Sequence, residues 1–203
     1  MPHAPGRRFL VLHGWQHHRP PEHWAWWLTE SLRGRGEQVL YPQLPDPDRP
    51  RLADWLAVFG AEWAQLGRGQ RVVVAHSLGC LLWLRAATAG LTDPPADRVL
   101  LVAPPSPEVT RSTPEMAEFD APLDAGALRR SSRATVRLAC SDEDVYSREG
   151  TAAELYGVPL GLDVDLLPGA RHLSDADGYG PWPAVLAWCL DPSTRLTPRP
   201  PDA

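Results

Sequence analysis

Short apolar runs alternating with amphipathic stretches predict an α/β protein, a single domain on a mostly parallel six-stranded sheet with helices on both faces. Three observations carry this. Phe9-Leu10-Val11-Leu12 and Val72-Val73-Val74-Ala75 are near-continuous apolar runs, as expected of strands buried on both sides. Residues 51–66 place Leu52, Trp55, Leu56, Phe59 and Trp63 at three- and four-residue steps, the helical period. Proline and glycine gather between such segments, where boundaries belong.

In chain order, strands are expected at Phe9–Leu12, Glu37–Tyr41, Arg71–Ala75, Arg98–Ala103, Ala134–Ala139 and Leu162–Leu167. Helices are expected from Pro20-Pro21-Glu22 to Arg33, over Arg51–Leu66, from the end of the third strand to Ala89, briefly around Leu128, over Ser147–Leu155 with Ser147 as cap, and over Pro183–Leu190. Residues 42–50 carry four prolines and read as an extended loop. Residues 104–123 lose periodicity after a strand end and read as a small lid or pocket wall. The domain is expected over residues 1–191, with no large cap, repeat or second core; residues 192–203 read as a disordered proline-rich tail.

Composition narrows the function. The 203 residues are 43% hydrophobic and 22% charged, with a net charge of −5 and no basic run, which argues against a nucleic-acid partner. No stretch is apolar enough for a membrane span or a signal peptide, so a cytoplasmic protein is expected. Cys80, Cys140 and Cys189 are too few and scattered for a disulfide framework and read as buried free thiols. His17, His18 and His23 lie close together, but no cysteine or glutamate pattern completes a metal-ligand set. Neither metal nor cofactor is called for.

The chemistry gathers at strand ends. Ala75-His76-Ser77-Leu78-Gly79 sits between a strand and a helix, the setting of a nucleophile elbow: small residues flank a serine held on a sharp turn, and the Leu78 amide points to the same space. His13-Gly14-Trp15 follows the first strand and could offer the Trp15 amide as a second oxyanion donor. Asp142 and Asp144 follow the fifth strand, and His172 the sixth. A serine needs an imidazole to take its proton, and the imidazole needs a carboxylate to fix its tautomer. The chain order serine, acid, histidine is that of α/β-hydrolases. His76 neighbours Ser77, but adjacent residues on a strand face opposite ways, so it reads as packing beside the elbow. Asp144 lies deeper in its loop than Asp142 and is preferred, with Asp142 the fallback. Asp175 and Asp177 follow His172 too closely to be its usual partner.

Several of these segments together resemble a known family. His13-Gly14-Trp15 with Glu22-His23-Trp24, the proline loop with Trp55, His76-Ser77-Leu78-Gly79, Ser141 to Tyr146, and His172 with Gly178-Tyr179-Gly180-Pro181-Trp182-Pro183 look like the small serine hydrolases typified by retinoblastoma-binding protein 9, within the α/β-hydrolase superfamily. The resemblance spans residues 8–190. It implies a compact hydrolase with a Ser77, Asp144, His172 triad, an oxyanion hole from the Trp15 and Leu78 amides, and esterase or amidase action on a small acyl substrate through an acyl-enzyme. His13, Gly14, His17, His18 and Trp182 are expected around the substrate, in a pocket made apolar by the tryptophans. Some relatives are named for protein binding, so a non-catalytic interaction module on the same scaffold is the alternative; the sequence indicates no protein partner.

Overall fold

The computed structural model describes residues 6–199. Six parallel strands, β1 (Arg7–Leu12), β2 (Gln38–Leu40), β3 (Gln70–His76), β4 (Arg98–Val102), β5 (Arg137–Cys140) and β6 (Asp163–Leu166), form one sheet in the order β2-β1-β3-β4-β5-β6. Side chains alternate across it as the period of two demands. Leu10, Leu12, Val73, Ala75, Val99, Leu101 and Leu138 enter one core, while Phe9, Val11, Val72, Val74, Leu100, Val102 and Ala139 enter the other. The first core is closed by α2 (Leu52–Gln65) and α3 (Leu78–Thr88), the second by α1 (Trp24–Arg33) and α7 (Pro183–Leu190). Short helices α4 (Pro107–Ser112), α5 (Ala125–Ser131) and α6 (Val158–Leu160) fill the remaining connections.

After β1 the chain moves outward to β2, then returns to the other side of β1 for β3. The crevice at such a reversal, at the carboxyl ends of the strands, is where parallel sheets bind ligands. Here it lies between the loops leaving β1 and β3. Two glycines let them approach. A Cβ on Gly79 would lie 2.7 Å from the His13 carbonyl oxygen, and one on Gly14 would lie 2.7 Å from the Ser77 Cβ.

Three expectations need correction. The α1 helix starts at Trp24 rather than at the prolines, because His23 caps it by accepting from the Ala25 amide. Ser147 caps nothing, and its hydroxyl is buried without a protein partner. The turn that follows starts at Thr151, whose amide and hydroxyl both donate to Glu154, and runs as a π-helical segment (Ala153–Gly157) into α6. The expected tail packs on the domain as far as Arg199. Leu196 is buried, Trp182 donates its indole N–H to the Thr197 carbonyl, and Arg195 pairs with Asp163 and Asp165. The packed body therefore continues past residue 191, and residues 200–203 of the expected tail lie outside the described residues. All three cysteines are free and buried. No helix among the described residues is long and apolar enough to cross a membrane.

Candidate active site

Ser77 joins β3 to α3 with φ 53° and ψ −125°, a strained backbone for a residue with a Cβ. The strain is held from both sides. Its amide donates to the Val102 carbonyl at 2.9 Å, and Gly14 presses on its side chain from the β1 loop. The result lifts the hydroxyl into a cavity of about 530 Å³ at the carboxyl end of the sheet.

His172 reaches the same point from the loop after β6. Its Nε2 lies 2.9 Å from Ser77 Oγ, and its Nδ1 lies 2.9 Å from both carboxylate oxygens of Asp144. The Asp144 side chain is almost wholly buried and also accepts from the Tyr146 amide. That second bond aims the carboxylate. Asp142 lies elsewhere: it accepts from the Gly169 amide at 2.8 Å and so staples the β5 loop to the β6 loop. Asp144, the aspartate preferred from the sequence, meets the imidazole, and the fallback Asp142 does not.

The imidazole is fixed by its backbone as well as its ring. The His172 amide donates to Asp177, and its carbonyl accepts from His76 Nε2–H at 3.0 Å. Arg171 and Leu173 on either side have φ of 54° and 55°, so the loop kinks around the histidine. The Tyr146 ring packs 4.4 Å from it, centroid to centroid. Asp177 and His76 are functional contacts that sequence reasoning missed. Nothing in residue spacing signals a side chain that binds a backbone group 96 positions away, as His76 does.

Leu78 opens α3, a Cβ on Gly14 would lie 3.3 Å from the Leu78 amide nitrogen, and neither the Trp15 nor the Leu78 amide donates to a protein acceptor among the described residues. Gly14, His17 and His18 line the cavity as expected. Two expected pocket residues do not. His13 is fully buried behind the wall: Nδ1–H donates to the Gly14 carbonyl, and Nε2 accepts from the Leu44 amide at 2.9 Å. It ties the β1 loop to the proline loop. Trp182 packs edge-on against Trp24 and Tyr179 in the second core, so its indole serves the fold. Trp15 lines the cavity as expected, beside His23, His76, Ser174 and Asp175. Of residues 104–123, Met116 lines the cavity and is buried. Among the described residues no cluster of histidine, cysteine or acidic side chains is arranged to hold a metal ion.

An elbow serine at the switch point of a parallel sheet, a histidine from the last strand's loop and a compact single domain define an α/β-hydrolase. The chain belongs to the Serine hydrolase family, whose model matches residues 9–190. It is 34% identical to YdeN of Bacillus subtilis over 79 residues, which is 39% of this chain and 40% of that protein's length. The crystal structure of the ydeN product superposes with a TM-score of 0.72 at 21% identity, covering 90% of this chain and 95% of the other. Similar folds include Est1E of Butyrivibrio proteoclasticus with ferulic acid bound (TM-score 0.61, 14% identity, 85% and 83% covered) and the esterase domain of a Rhodothermus marinus protein (0.60, 16%, 88% and 83%).

Proposed function

We propose that the protein hydrolyses a small carboxylic ester, with an amide as the weaker substrate, through an acyl-enzyme on Ser77. The carrying observation is the unbroken line from Asp144 to His172 Nδ1 and from His172 Nε2 to Ser77 Oγ, each link 2.9 Å. In this reading His172 takes the hydroxyl proton as Oγ attacks the acyl carbon, then passes it to the leaving alkoxide. Asp144 holds the Nδ1–H tautomer and stabilises the imidazolium. The amides of Trp15 and Leu78 receive the oxyanion, a contribution typically on the order of 3 kcal/mol each. Water then repeats the sequence on the acyl-enzyme. Esterases among the similar folds support the choice of ester, and the residue-level likeness to the retinoblastoma-binding protein 9 type supports the triad assignment.

The test is covalent labelling with a fluorophosphonate, read by intact mass. One adduct on the wild type and none on Ser77→Ala is expected. A well-folded wild type that takes no adduct would overturn the nucleophile and favour an interaction module on the same scaffold.

A further inference from the structure

The loop that carries His172 kinks on both sides of it, at Arg171 and Leu173, and side chains hold its backbone in place. The Trp24 indole N–H donates to the Leu173 carbonyl at 2.8 Å. The peptide groups of His172 itself are gripped one each. Asp177 accepts from the amide at 3.1 Å, and His76 Nε2–H donates to the carbonyl at 3.0 Å.

Each grip is itself held. The buried His76 ring has the rings of His23, Trp24 and His172 around it, at centroid distances of 5.1, 5.6 and 5.1 Å. Burial moves its pKa well below the ordinary histidine value, so the ring is neutral; a carbonyl only accepts, so Nε2 carries the proton. On Asp177 a single oxygen does the gripping. Its Oδ2 accepts from the His172 amide, from the Ser174 amide at 3.3 Å and from the Ser174 hydroxyl at 2.7 Å, while Oδ1 faces Arg171 at 3.8 Å. His76 also stands directly before Ser77 in the chain. The residue that holds the imidazole's backbone is thus one peptide link from the hydroxyl that the imidazole meets.

We propose that His76 and Asp177 are positioning residues that clamp the His172 peptide, keeping Nε2 on Ser77 Oγ and Nδ1 on Asp144. The proposal rests on the reading of His172 as the base for Ser77. Both side chains act through His172 and not on the substrate. A loop released at one grip would turn about the other and carry the ring off line, and a misplacement of about 1 Å is worth on the order of 10²-fold in rate. The chemistry of each grip says which substitutes serve. Glutamine carries its amide nitrogen as many bonds beyond Cβ as histidine carries Nε2, whereas asparagine falls one bond short. At position 177, asparagine keeps an oxygen that can take the same donors, and alanine keeps none.

The experiment takes His76→Gln, His76→Asn, Asp177→Asn and Asp177→Ala and measures the rate of fluorophosphonate labelling at Ser77. Alongside it, long-range proton–nitrogen correlation spectra of the histidine rings at about pH 8, where ordinary imidazoles are neutral, read the His172 tautomer without any reaction. The His172 signals are assigned by their loss in His172→Phe. His76→Asn and Asp177→Ala should label roughly 10- to 100-fold more slowly, with His172 no longer held as the Nδ1–H tautomer. His76→Gln and Asp177→Asn should label within about three-fold of the wild type and keep that tautomer. A role in the fold alone would instead slow labelling in step with the urea midpoint, whichever substitute is present, and leave the tautomer of the folded protein as it was. That result, or equal rates and tautomers in all four variants, would overturn the clamp. A wild type that takes no label, with the tautomer lost in the first pair and kept in the second, would fail the nucleophile alone and leave the clamp standing. The Asp177 pair, on a side chain that is partly exposed, decides the matter even where a His76 variant does not fold.

Discussion

At the carboxyl ends of the strands, every non-glycine residue with positive φ among those described is found: Gln16 and Arg19 after β1, Asp46 after β2, Ser77 after β3, Ala103 after β4, Arg171 and Leu173 after β6. At the amino ends, arginines in the first two positions of β1, β3, β4 and β5 instead close open ends. Arg7 pairs with Glu37 and donates to the Leu190 carbonyl, Arg71 donates to the Gly67 carbonyl, and Arg98 donates to the Trp188 and Cys189 carbonyls at the end of α7. Arg137 is paired with Asp163 and Asp165. A residue held in such a conformation costs on the order of 1–3 kcal/mol. One end of the sheet is therefore strained to present chemical groups, and the other is satisfied to hold the sheet together. Substitutions at the two ends should separate rate from stability.

The largest effect should come from Ser77→Ala, with turnover of an ester falling on the order of 10⁴-fold or more while the unfolding midpoint moves little. A loss under ten-fold would remove Ser77 from the mechanism. Asp144→Asn should follow, with kcat down on the order of 10³ to 10⁴-fold because the imidazole loses its tautomer control. Asp142→Asn, two residues away, is the control within the same loop, expected to change kcat only a few-fold; steady-state kinetics on the pair reads the difference directly.

Acid should erode the strained end. Burial lowers His13 to about 4 and His17 to about 3, so the folded protein binds their protons less readily than the unfolded chain. Stability is then full above about pH 6.5 and is lost as pH falls toward 4, by several kcal/mol in urea titrations. A midpoint unchanged between pH 7 and pH 4.5 would contradict this. At the amino end, Arg137→Leu should cost about 3 kcal/mol by leaving buried Asp165 with one partner fewer, and should leave kcat/KM of the folded enzyme unchanged. A matching fall in kcat/KM would mean that the two ends are not independent. The smallest effect is the stability change in Asp142→Asn, about 1 kcal/mol from weakening one bond to Gly169.

The strand ends were legible because β-branched runs such as Val72 to Val74 announce burial on both faces, and chemistry placed straight after them has few places to go. Ser77, His172 and the aspartate pair emerged that way. Depth in the loop favoured Asp144 over Asp142, although both face the same side of an extended chain; the Tyr146 and Gly169 amides show what separates them. Trp182 and His13 were misplaced for a common reason. A large polar-tipped ring near a motif can be satisfied by a distant carbonyl or amide, at Thr197 and Leu44 here, and the sequence does not record that pairing. The proline-rich end misled similarly: prolines forbid regular structure but not packing, and Arg195 and Leu196 find their partners on β6.

That packed segment has a further consequence. β6 is the last strand of the sheet, with β5 on one side only. A free strand edge is a template on which another chain can add itself. Arg195 occupies that edge by donating to the Val164 carbonyl at 2.6 Å, and the Leu196 amide turns in to the Asp165 carboxylate. Residues 192–199 thus cover part of that edge as well as bracing the fold. A chain cut after Asp191 should keep its elbow and its triad geometry, yet gather into higher oligomers as its concentration rises, a behaviour that light scattering would register before any loss of activity.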